Sequence, residues 1–453
     1  MTVQLVILAA GEGKRMKTDL PKVMHKVGGK TMIDRILALV DAEDKAVVVV
    51  GHGRECLTRH IGGRAHIAVQ EQQMGTGHAV MMARPFLAEA DYTVVLPGDM
   101  PLLAKGTLQA LIGAVDGHKA MILSSIVKDS SGYGRIIRDD KGLVQRIVEH
   151  RDATEEERAV KEINTAAIAF ETKALLGCLD RLGNDNVQGE YYLTDCIGML
   201  VEAGERVGAL VAPEVECQGI NDRVQLAAAE KDLRQRVNRE YMLAGVTMID
   251  PKRVYIEEGA QIGQDVILHP GVQIYGQTVI GDCCEIFGDS YIENCVIGHD
   301  SLIMSSRLHE SKVGIYTDIG PNAYLRPQSE VGNHCKIGDF VELKAASIGD
   351  NTKVSHLTYI GDAEVGSDCN IGCGVVFVNF DGMSKYKTIV EDHCFIGCNV
   401  NLVSPVTVRQ GAYVAAGTTV TEEVPADALS IGRARQSIKE NWAEQRRREG
   451  KLR

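Results

Sequence analysis

Apolar and polar positions alternate in one way along the first half of this 453-residue chain and in another way along the second. In the first half, short β-type apolar runs at residues 4–9, 46–50, 66–69, 92–96 and 120–126 are separated by stretches with helical spacing, including 31–39 and 77–86. Such alternation predicts a mostly parallel sheet covered by helices on both faces. Ligands of these sheets bind at the carboxyl ends of strands, so we expect the chemistry in those loops.

From residue 254 onward the apolar period becomes six. Each hexapeptide predicts one short strand and one turn with its aliphatic residue inside, and three hexapeptides complete a triangular coil that stacks on the next. The pattern predicts a parallel β-helix of about nine coils between residues 256 and 420. The period is carried by Ile256, Ile262, Leu268, Ile274, Ile280, Ile286, Ile292, then Val313, Ile319, Leu325, Val331, Ile337, Leu343, and finally Val390, Ile396, Leu402, Val408, Val414 and Val420.

Two interruptions divide these patterns. Residues 222–243 are rich in Ala, Leu, Glu, Arg and Gln and contain neither Pro nor Gly, which predicts a rigid connecting helix. We therefore expect a first domain over 1–221, a linker over 222–245, and a second domain with a C-terminal tail over 246–453. The break at 378–388 predicts a loop leaving the coils, either for binding or as a neutral insertion.

Composition narrows the class of protein. The formal net charge of −12 disfavours a nucleic-acid binder, so any phosphate site must be locally basic. The first apolar run is too short for a signal peptide or a membrane span, and no later run reaches about 18 residues. The 12 Cys form no C-x-x-C pair, which favours reduced thiols over zinc ligands. These features predict a cytoplasmic protein.

The loop after the first strand is the first candidate site. Small residues there would let a phosphate or a base approach backbone amides, and Arg15 and Lys22 follow as cations. This combination indicates a triphosphate site; the alternative is an ordinary strand–turn–helix corner with surface cations. Asp99 follows another strand and suits Mg²⁺ held with a substrate phosphate, although an Asp there is equally a common turn residue.

Several motifs in order carry a resemblance to a known family. They are LAAGEGKRM at 8–16, QEQQMGTGHA at 70–79, GDMPL at 98–102, SGYGR at 131–135, QGEYYLTD at 188–195 and GIN at 219–221. Over essentially its whole length the chain resembles the bacterial bifunctional N-acetylglucosamine-1-phosphate uridylyltransferase/glucosamine-1-phosphate acetyltransferases. The resemblance implies a Rossmann-like α/β nucleotidyltransferase domain followed by a left-handed parallel β-helix of hexapeptide repeats.

The resemblance also implies roles in the first domain. Uridylyl transfer from UTP to the sugar phosphate would need Mg²⁺, held by Asp99 and Asn221, while Arg15 and Lys22 act on the phosphates. Lys14 and Ala166 depart from residues common in the family. The implied positions for UTP and the sugar nucleotide are Leu8, Ala9, Ala10, Gly11, Lys22, Gln70, Gly75, Thr76, Pro97, Gly98, Asp99, Gly134, Glu149, Asn164 and Asn221.

In the second half, functional side chains interrupt the repeats. From residue type alone His356 is either a turn residue or a proton acceptor, and Arg326 and Lys344 suit a sugar phosphate. The stretches 325–327, 341–344 and 355–362 resemble the acetyltransferase half of the family, which implies that His356 is the general base. The implied glucosamine-1-phosphate positions are Arg326, Lys344, Tyr359, Asn370 and Lys385. The implied acetyl-CoA positions are Cys373, Asn379, Phe380, Cys398, Ala416 and Arg433, of which Phe380 and Cys398 depart from the usual residues.

The resemblance further implies a homotrimer acting on small molecules, with no nucleic-acid or membrane partner. Arg446, Arg447 and Arg448 in the charged tail are either a solvated helix end or a neutraliser of CoA phosphates. Two alternatives stay open: a nucleotidyltransferase whose β-helix is purely structural or regulatory, and a non-catalytic subunit that senses sugar nucleotides.

Overall fold

The computed structural model describes residues 2–40, 45–150, 152–186 and 188–453. The chain divides into two compact units, Met1–Arg234 and Gln235–Arg453, each with its own sheets. The division falls inside a single 21-residue helix, Arg223–Leu243, which confirms the helix predicted over 222–243.

The first unit is an α/β domain. Its strands are β1 Val3–Ala9, β2 Lys26–Val27, β3 Lys30–Thr31, β4 Val47–Val50, β5 His66–Val69, β6 Tyr92–Pro97, β7 Ala120–Ile126, β8 Arg135–Arg138, β9 Val144–Val148, β10 Glu162–Glu171 and β11 Val207–Val211. Its helices are α1 Met32–Leu37, α2 Arg54–Ile61, α3 Thr76–Ala83, α4 Lys105–Ala114, α5 Glu155–Ala159, α6 Thr172–Leu179, α7 Leu193–Glu202 and α8 Arg223–Leu243, the last of which continues into the second unit.

Within the described residues, nine of these strands form one mixed sheet in the order β11–β7–β10–β6–β1–β4–β5, with β8 and β9 attached beside β10. The pairs β1–β4, β1–β6, β4–β5 and β7–β11 are parallel, whereas β10 runs antiparallel to β6 and β7. Apolar side chains are buried on both faces, as helices on both sides require. Because β1 and β6 are parallel neighbours, the loop after Ala9 and the turn at Asp99 lie at the same edge of the sheet.

The second unit is a parallel β-helix. One sheet of eleven strands runs along it: Thr247–Met248, Ile267–Leu268, Glu285–Ile286, Leu302–Ile303, Asp318–Ile319, Lys336–Asp339, Lys353–His356, Asn370–Ile371, Phe395–Ile396, Tyr413–Val414 and Leu429–Ser430. The other strands form a seventeen-stranded curled sheet: Tyr255–Ile256, Gln261–Ile262, Gln273–Tyr275, Val279–Ile280, Tyr291–Glu293, Val296–Ile297, Arg307–His309, Lys312–Val313, Tyr324–Leu325, Glu330–Val331, Glu342–Ile348, Tyr359–Val365, Val376–Val378, Thr388–Val390, Asn401–Val403, Val406–Val408 and Thr419–Val420.

The aliphatic residues of the six-residue period fill the interior, and nearly all of them are buried. Between Ile292 and Val313 the core continues through buried Ile297, Ile303 and Leu308, because some steps contain five residues instead of six. The shorter steps keep each aliphatic side chain inward, so the apparent gap in the period is not a gap in the β-helix.

Two features complete the second unit. The loop between Val378 and Thr388 leaves the coils as predicted, and the tail carries the helix α9 Trp442–Arg448. Across the part of the chain that the structure describes, no helix combines the length and apolarity needed to cross a bilayer.

Candidate active sites

The glycine loop after β1 is tied to the segment that follows β5. Gln73 Nε2 donates to the carbonyl oxygen of Ala10 at 2.8 Å. Gly75 has a φ of +100°, and a Cβ there would lie 2.5 Å from the carbonyl oxygen of Tyr191, so only glycine fits. These contacts bring the predicted nucleotide residues from 8–11 and 70–76 to one edge of the sheet.

Gln70 is the buried polar residue of this region. Only 3% of its surface is exposed, and its Nε2 is 3.0 Å from the Gly75 carbonyl oxygen and 3.1 Å from His78 Nδ1. Thr76 Oγ1 accepts the backbone N–H of Leu193 at 3.1 Å, which fixes the start of α3 against α7. The Gln70 amide is therefore held in a fixed orientation by its protein partners.

Lys22 joins the two predicted metal ligands. Its Nζ contacts Asp99 Oδ2 and lies 2.7 Å from Asn221 Oδ1. The two acceptors are positioned by the backbone, since Ile220 N–H donates to the Asp99 carbonyl oxygen at 2.9 Å. The Lys22 ammonium thus contacts both oxygens, so the Asp99 carboxylate and the Asn221 amide oxygen converge on one point.

The oxygen atoms of Asp99 and Asn221 are ligands that suit a hard metal cation. Among the described residues no cluster of three or more His, Cys, Asp or Glu side chains could hold a metal by itself. One carboxylate and one amide oxygen match a Mg²⁺ ion that takes its remaining ligands from substrate phosphates and water.

The other predicted phosphate residues surround the loop. Gly98 N–H donates to the Leu8 carbonyl oxygen at 2.9 Å, which continues the β1–β6 pairing past Pro97. Arg15 is exposed and makes no ion pair with any described residue. Lys14, one of the departures from the family, pairs with Glu12 at 2.9 Å and is largely exposed. Among the described residues, therefore, no ion pair would have to break for the Arg15 guanidinium to bind an anion.

Gly134, Glu149 and Asn164 converge at the junction of β8, β9 and β10. Asn164 N–H donates to the Gly134 carbonyl oxygen at 2.8 Å, and a Cβ on Gly134 would lie 3.4 Å from Glu149 Oε1. Ala166, two residues further along β10, has a φ of +65° at a register shift. A side chain with a Cβ is disfavoured in this left-handed conformation, which glycine adopts without strain.

Electrostatics distinguish Glu149 from an ordinary surface carboxylate. Desolvation by the surrounding protein, followed by the charges of Asp152 and Asp195, raises the pKa of the Glu149 carboxyl, although the residue remains accessible to solvent. Burial and the charges of Asp99 and Glu214 also raise the pKa of Tyr133. A partly desolvated carboxyl such as that of Glu149 is suited to hydrogen bonding with a polar group of a ligand.

In the second unit, Arg326 and Lys344 belong to successive coils. Leu325 pairs in register with Leu343, and Arg326 N–H donates to the Leu343 carbonyl oxygen at 2.9 Å. Arg326 Nη1 donates to Glu342 Oε1 at 3.0 Å. The two predicted phosphate cations are therefore stacked at one position of the coil.

Further along the same face, the Asp362 carboxylate accepts hydrogen bonds from Lys344 and Asn379. Lys344 Nζ donates to both of its carboxylate oxygens at 3.0 and 2.9 Å, and Asn379 Nδ2 also donates to it. Asn379 Nδ2 is 3.4 Å from the Tyr359 hydroxyl. The neighbouring Lys344 ammonium lowers the pKa of Lys385. The side chains of Lys344 and Lys385 are therefore near each other and near the Asp362 carboxylate.

His356 lies at a different position of the coil from Arg326 and Lys344. It ends the strand Lys353–His356 of the eleven-stranded sheet and pairs in register with Asp339. Lys344 and Arg326 are 18 residues apart, which is one coil, whereas His356 follows Lys344 by only 12 residues, so it lies on a different face of the coil.

Four of the predicted acetyl-CoA residues, Cys373, Cys398, Ala416 and Arg433, form a column that begins beside His356. Continuing the pairing of Val354 with Ile371 brings Cys373 opposite His356. Asn399 N–H donates to the Cys373 carbonyl oxygen at 2.8 Å and Gly417 N–H to that of Cys398 at 2.9 Å. Arg433 Nη1 donates to the Ala416 carbonyl oxygen at 2.7 Å. The column thus follows three successive coils.

Two predicted ligand residues stand apart from these groups. Phe380 lies in the loop after Val376–Val378 and is 54% exposed. Asn370 pairs in register with Lys353 and Phe395 on the eleven-stranded sheet, whereas Lys344 belongs to the other sheet. Within one chain, no described hydrogen bond or ion pair joins Asn370 to the Lys344 cluster.

Sequence reasoning missed three residues that hold the predicted ones in place: Gln73, Asp339 and Asp362. Asp339 precedes His356 by 17 residues and Asp362 follows Lys344 by 18. Seventeen or eighteen residues make one coil, so a search for polar residues one coil away from each candidate would have found both.

Comparisons with known proteins agree with this organisation. The family model described as MobA-like NTP transferase domain matches residues 5–166, and the model described as hexapeptide repeat of succinyl-transferase matches residues 387–422. A "Bifunctional protein GlmU" from Clostridium botulinum is 49% identical over 447 residues, covering 97% of this chain and 98% of that protein. Proteins of the same name from Geobacillus sp. and Listeria welshimeri are 48% and 47% identical, and each alignment covers 97% of both chains.

Proposed function

The chain belongs to the bifunctional GlmU family, and from that membership we propose how its two sites divide the synthesis of UDP-N-acetylglucosamine. The second unit transfers the acetyl group of acetyl-CoA to the amine of glucosamine-1-phosphate. The first unit then transfers a uridylyl group from UTP to N-acetylglucosamine-1-phosphate and releases pyrophosphate. The observation that carries the proposal is the presence of two separate groups of convergent cations and carboxylates, one in each unit.

In uridylyl transfer, an oxygen of the sugar phosphate attacks the α-phosphorus of UTP, and the bond to pyrophosphate breaks. The sugar phosphate is already an anion, so the protein supplies no nucleophile. The loop at 8–11 and the buried Gln70 hold the base and ribose, and Glu149 and Asn164 hold the amino sugar. Lys22 and Arg15 stabilise charge on the phosphates.

Asp99 and Asn221 would hold Mg²⁺, whose positive charge offsets the negative charge that develops on the phosphate oxygens. The convergence of both oxygens on Lys22 supports this assignment. Lys22 would share these two oxygens with the metal, since its ammonium contacts both of them. Its four-carbon side chain lets it turn from these oxygens toward a bound phosphate.

In acetyl transfer, Arg326, Lys344 and Lys385 bind the sugar phosphate, together with Tyr359 and Asn370. His356 accepts the proton that the amine loses as it attacks the thioester carbon. The column from Cys373 through Cys398 and Ala416 to Arg433 lies along the coils beside His356, whereas Asn379 contacts Asp362 and Phe380 lies in the exposed loop. This geometry supports a CoA chain lying along the column with its thioester at the histidine.

The homotrimer stays a proposal that the position of Asn370 supports. Asn370 lies on a different sheet from Lys344, so a neighbouring chain would have to bring the two to one substrate. Phe395, Tyr413 and Leu429 occupy the same register column as Asn370 and are exposed apolar side chains. A self-associated β-helix would cover this column. We place the enzyme in the cytoplasm, which suits its free thiols.

A β-helix with a purely structural role is not favoured. A non-catalytic subunit that senses sugar nucleotides is favoured even less. A structural solenoid would not need Lys344 and Lys385 close enough for one to lower the pKa of the other. The Asp362 carboxylate, which pairs with Lys344, offsets part of this like-charge repulsion, and a bound phosphate would offset more.

Separate assays of the two half-reactions test the proposal. UTP-dependent pyrophosphate release and CoA thiol release are measured on the wild type, Asp99→Asn and His356→Ala. We expect Asp99→Asn to lose most uridylyl transfer with acetyl transfer intact, and His356→Ala to lose acetyl transfer by at least ~100-fold with uridylyl transfer intact. Loss of both activities in either variant, or of neither, would contradict the division.

A further inference from the structure

One coil of the β-helix places a carboxylate directly beside His356. Asp339 and His356 pair in register between the strands Lys336–Asp339 and Lys353–His356. Asp339 Oδ1 is in hydrogen-bond contact with His356 Nδ1. The backbone fixes the same pair, because Leu357 N–H donates to the Asp339 carbonyl oxygen at 2.9 Å.

The contact assigns the proton positions on the imidazole. The hydrogen bond from His356 holds the pKa of the Asp339 carboxyl below its ordinary value, so this carboxylate is ionised at neutral pH and can only accept. The Nδ1 atom of His356 therefore carries a proton, and the lone pair of the neutral ring is on Nε2. No other hydrogen bond to the His356 ring occurs among the described residues.

The turn after His356 is also fixed. Thr358 Oγ1 donates to the His356 carbonyl oxygen at 2.7 Å and lies 3.2 Å from that of Gly372 on the next coil. Gly374 N–H donates to the Leu357 carbonyl oxygen at 3.1 Å. The ring is consequently carried by a rigid corner, with Asp339 on one neighbouring coil and Cys373 on the other.

We propose that Asp339 is a positioning residue for acetyl transfer, which fixes His356 with Nε2 as the proton acceptor and stabilises the imidazolium that forms. The inference rests on the proposed role of His356. As the amine nitrogen attacks the thioester carbon, a C–N bond forms and the C–S bond breaks. The amine proton passes to His356 Nε2, and the imidazolium then returns it to the departing thiolate, giving CoA as its thiol. Asp339 remains ionised throughout.

The surrounding charges are few. Lys336 begins the strand of Asp339 and Lys353 begins that of His356, and both are exposed. On the following coil, the strand Asn370–Ile371 contributes no titratable side chain before Cys373. Asp339 is therefore the charged group in direct contact with the ring, and its removal should change the acid side of the rate profile.

The test compares Asp339→Ala, Asp339→Asn and His356→Ala in the full-length protein. Asp368→Ala is the matched control, because Asp368 lies 3.8 Å from His393 in another exposed Asp–His pair. Each preparation is checked for unchanged assembly size and unchanged uridylyl transfer, so that misfolding is recognised. The kcat and KM of acetyl transfer are measured as a function of pH.

We expect Asp339→Ala to lower kcat by about 10-fold or more while KM for glucosamine-1-phosphate stays within about twofold. Asp339→Asn should recover much of kcat, since its amide oxygen still accepts from Nδ1–H. The acid limb of its plot of kcat against pH should move to lower pH, because the His356 imidazolium no longer has the Asp339 carboxylate beside it. Asp368→Ala should match the wild type.

The outcomes separate the two proposals. If His356→Ala keeps acetyl transfer, the general-base assignment fails, whatever Asp339 does. If His356→Ala is inactive while Asp339→Ala has the kcat and pH profile of the wild type, only the positioning role is overturned. An Asp339→Ala variant that changes KM alone also overturns it, since that would indicate substrate binding.

Discussion

Lys22 Nζ lies 2.7 Å from Oδ1 of Asn221, a residue 199 positions further along the chain, and contacts Asp99 as well. The ammonium thus occupies the point where the two predicted metal ligands converge. A metal held by the same two oxygens would compete with this ammonium for them.

Replacing Lys22 by Met should therefore have two opposite effects. We expect uridylyl transfer to fall by about 100-fold because a phosphate cation is lost. Binding of Mn²⁺ to the ligand-free protein, followed by electron paramagnetic resonance, should strengthen by about tenfold because the competing ammonium is gone. Lys26→Met, at an exposed position on β2, serves as the control. Unchanged Mn²⁺ binding would contradict a shared position for the two cations.

The first unit should function without the β-helix. Helix α8 contacts it through Glu230, whose Oε2 accepts Gly28 N–H at 2.6 Å. Further along, Asn238 Nδ2 donates to the Val254 carbonyl oxygen at 2.9 Å within the second unit. A fragment of residues 1–243 should fold and make UDP-N-acetylglucosamine from UTP and the acetylated sugar phosphate. A fragment that is folded by circular dichroism yet inactive would disprove the independence of the two sites.

A carboxylate network should make stability depend on pH. Although burial acts against it, hydrogen bonds from Thr31, Arg64 and His60 hold the pKa of Asp34 below its ordinary value. A depressed pKa stabilises the fold above the ordinary carboxyl pKa of about 4, and this contribution is lost as the pH falls. Asp34→Asn should therefore unfold at a lower temperature than the wild type at pH 7.

The difference between Asp34→Asn and the wild type should narrow toward pH 3, as measured by differential scanning calorimetry of the full-length protein. Asp180→Asn is the control, because its ion pair with Arg84 is largely exposed and should contribute little. If the difference in unfolding temperature between Asp34→Asn and the wild type is the same at every pH, the substitution acts through packing and not through the charge of Asp34.

Asp362 should set substrate affinity in the second unit. Although burial opposes it, hydrogen bonds from Lys344 and Asn379 hold the pKa of the Asp362 carboxyl below its ordinary value. Asp362→Ala releases both side chains and should lower kcat/KM for glucosamine-1-phosphate by about tenfold, mainly through KM. Glu364→Gln, which removes an exposed pair with Lys387, should leave kcat/KM unchanged. An unaltered KM in Asp362→Ala would argue against a positioning role.

Part of this structure follows from local pattern alone. A side chain every six residues can face one interior only if the chain turns every six residues, so Ile274, Ile280 and Ile286 predict the β-helix without reference to distant residues. Strands followed by helices likewise predict the sheet edge at Gly11 and Asp99. The antiparallel strand β10 was not predicted, because its ten residues show no period that distinguishes its direction.

The sequence by itself determined the two architectures and the residue types available for chemistry, because hydrophobic period and motif spacing act over a few residues. Only the tertiary structure decided which of those residues meet. Residue spacing shows that Lys344 and His356 lie on different faces of the coil, but only the pairing of strands shows that Asp339 is the neighbour of His356. Contacts such as that of Lys22 with Asn221 depend on the order of strands in a sheet, which the local pattern does not encode.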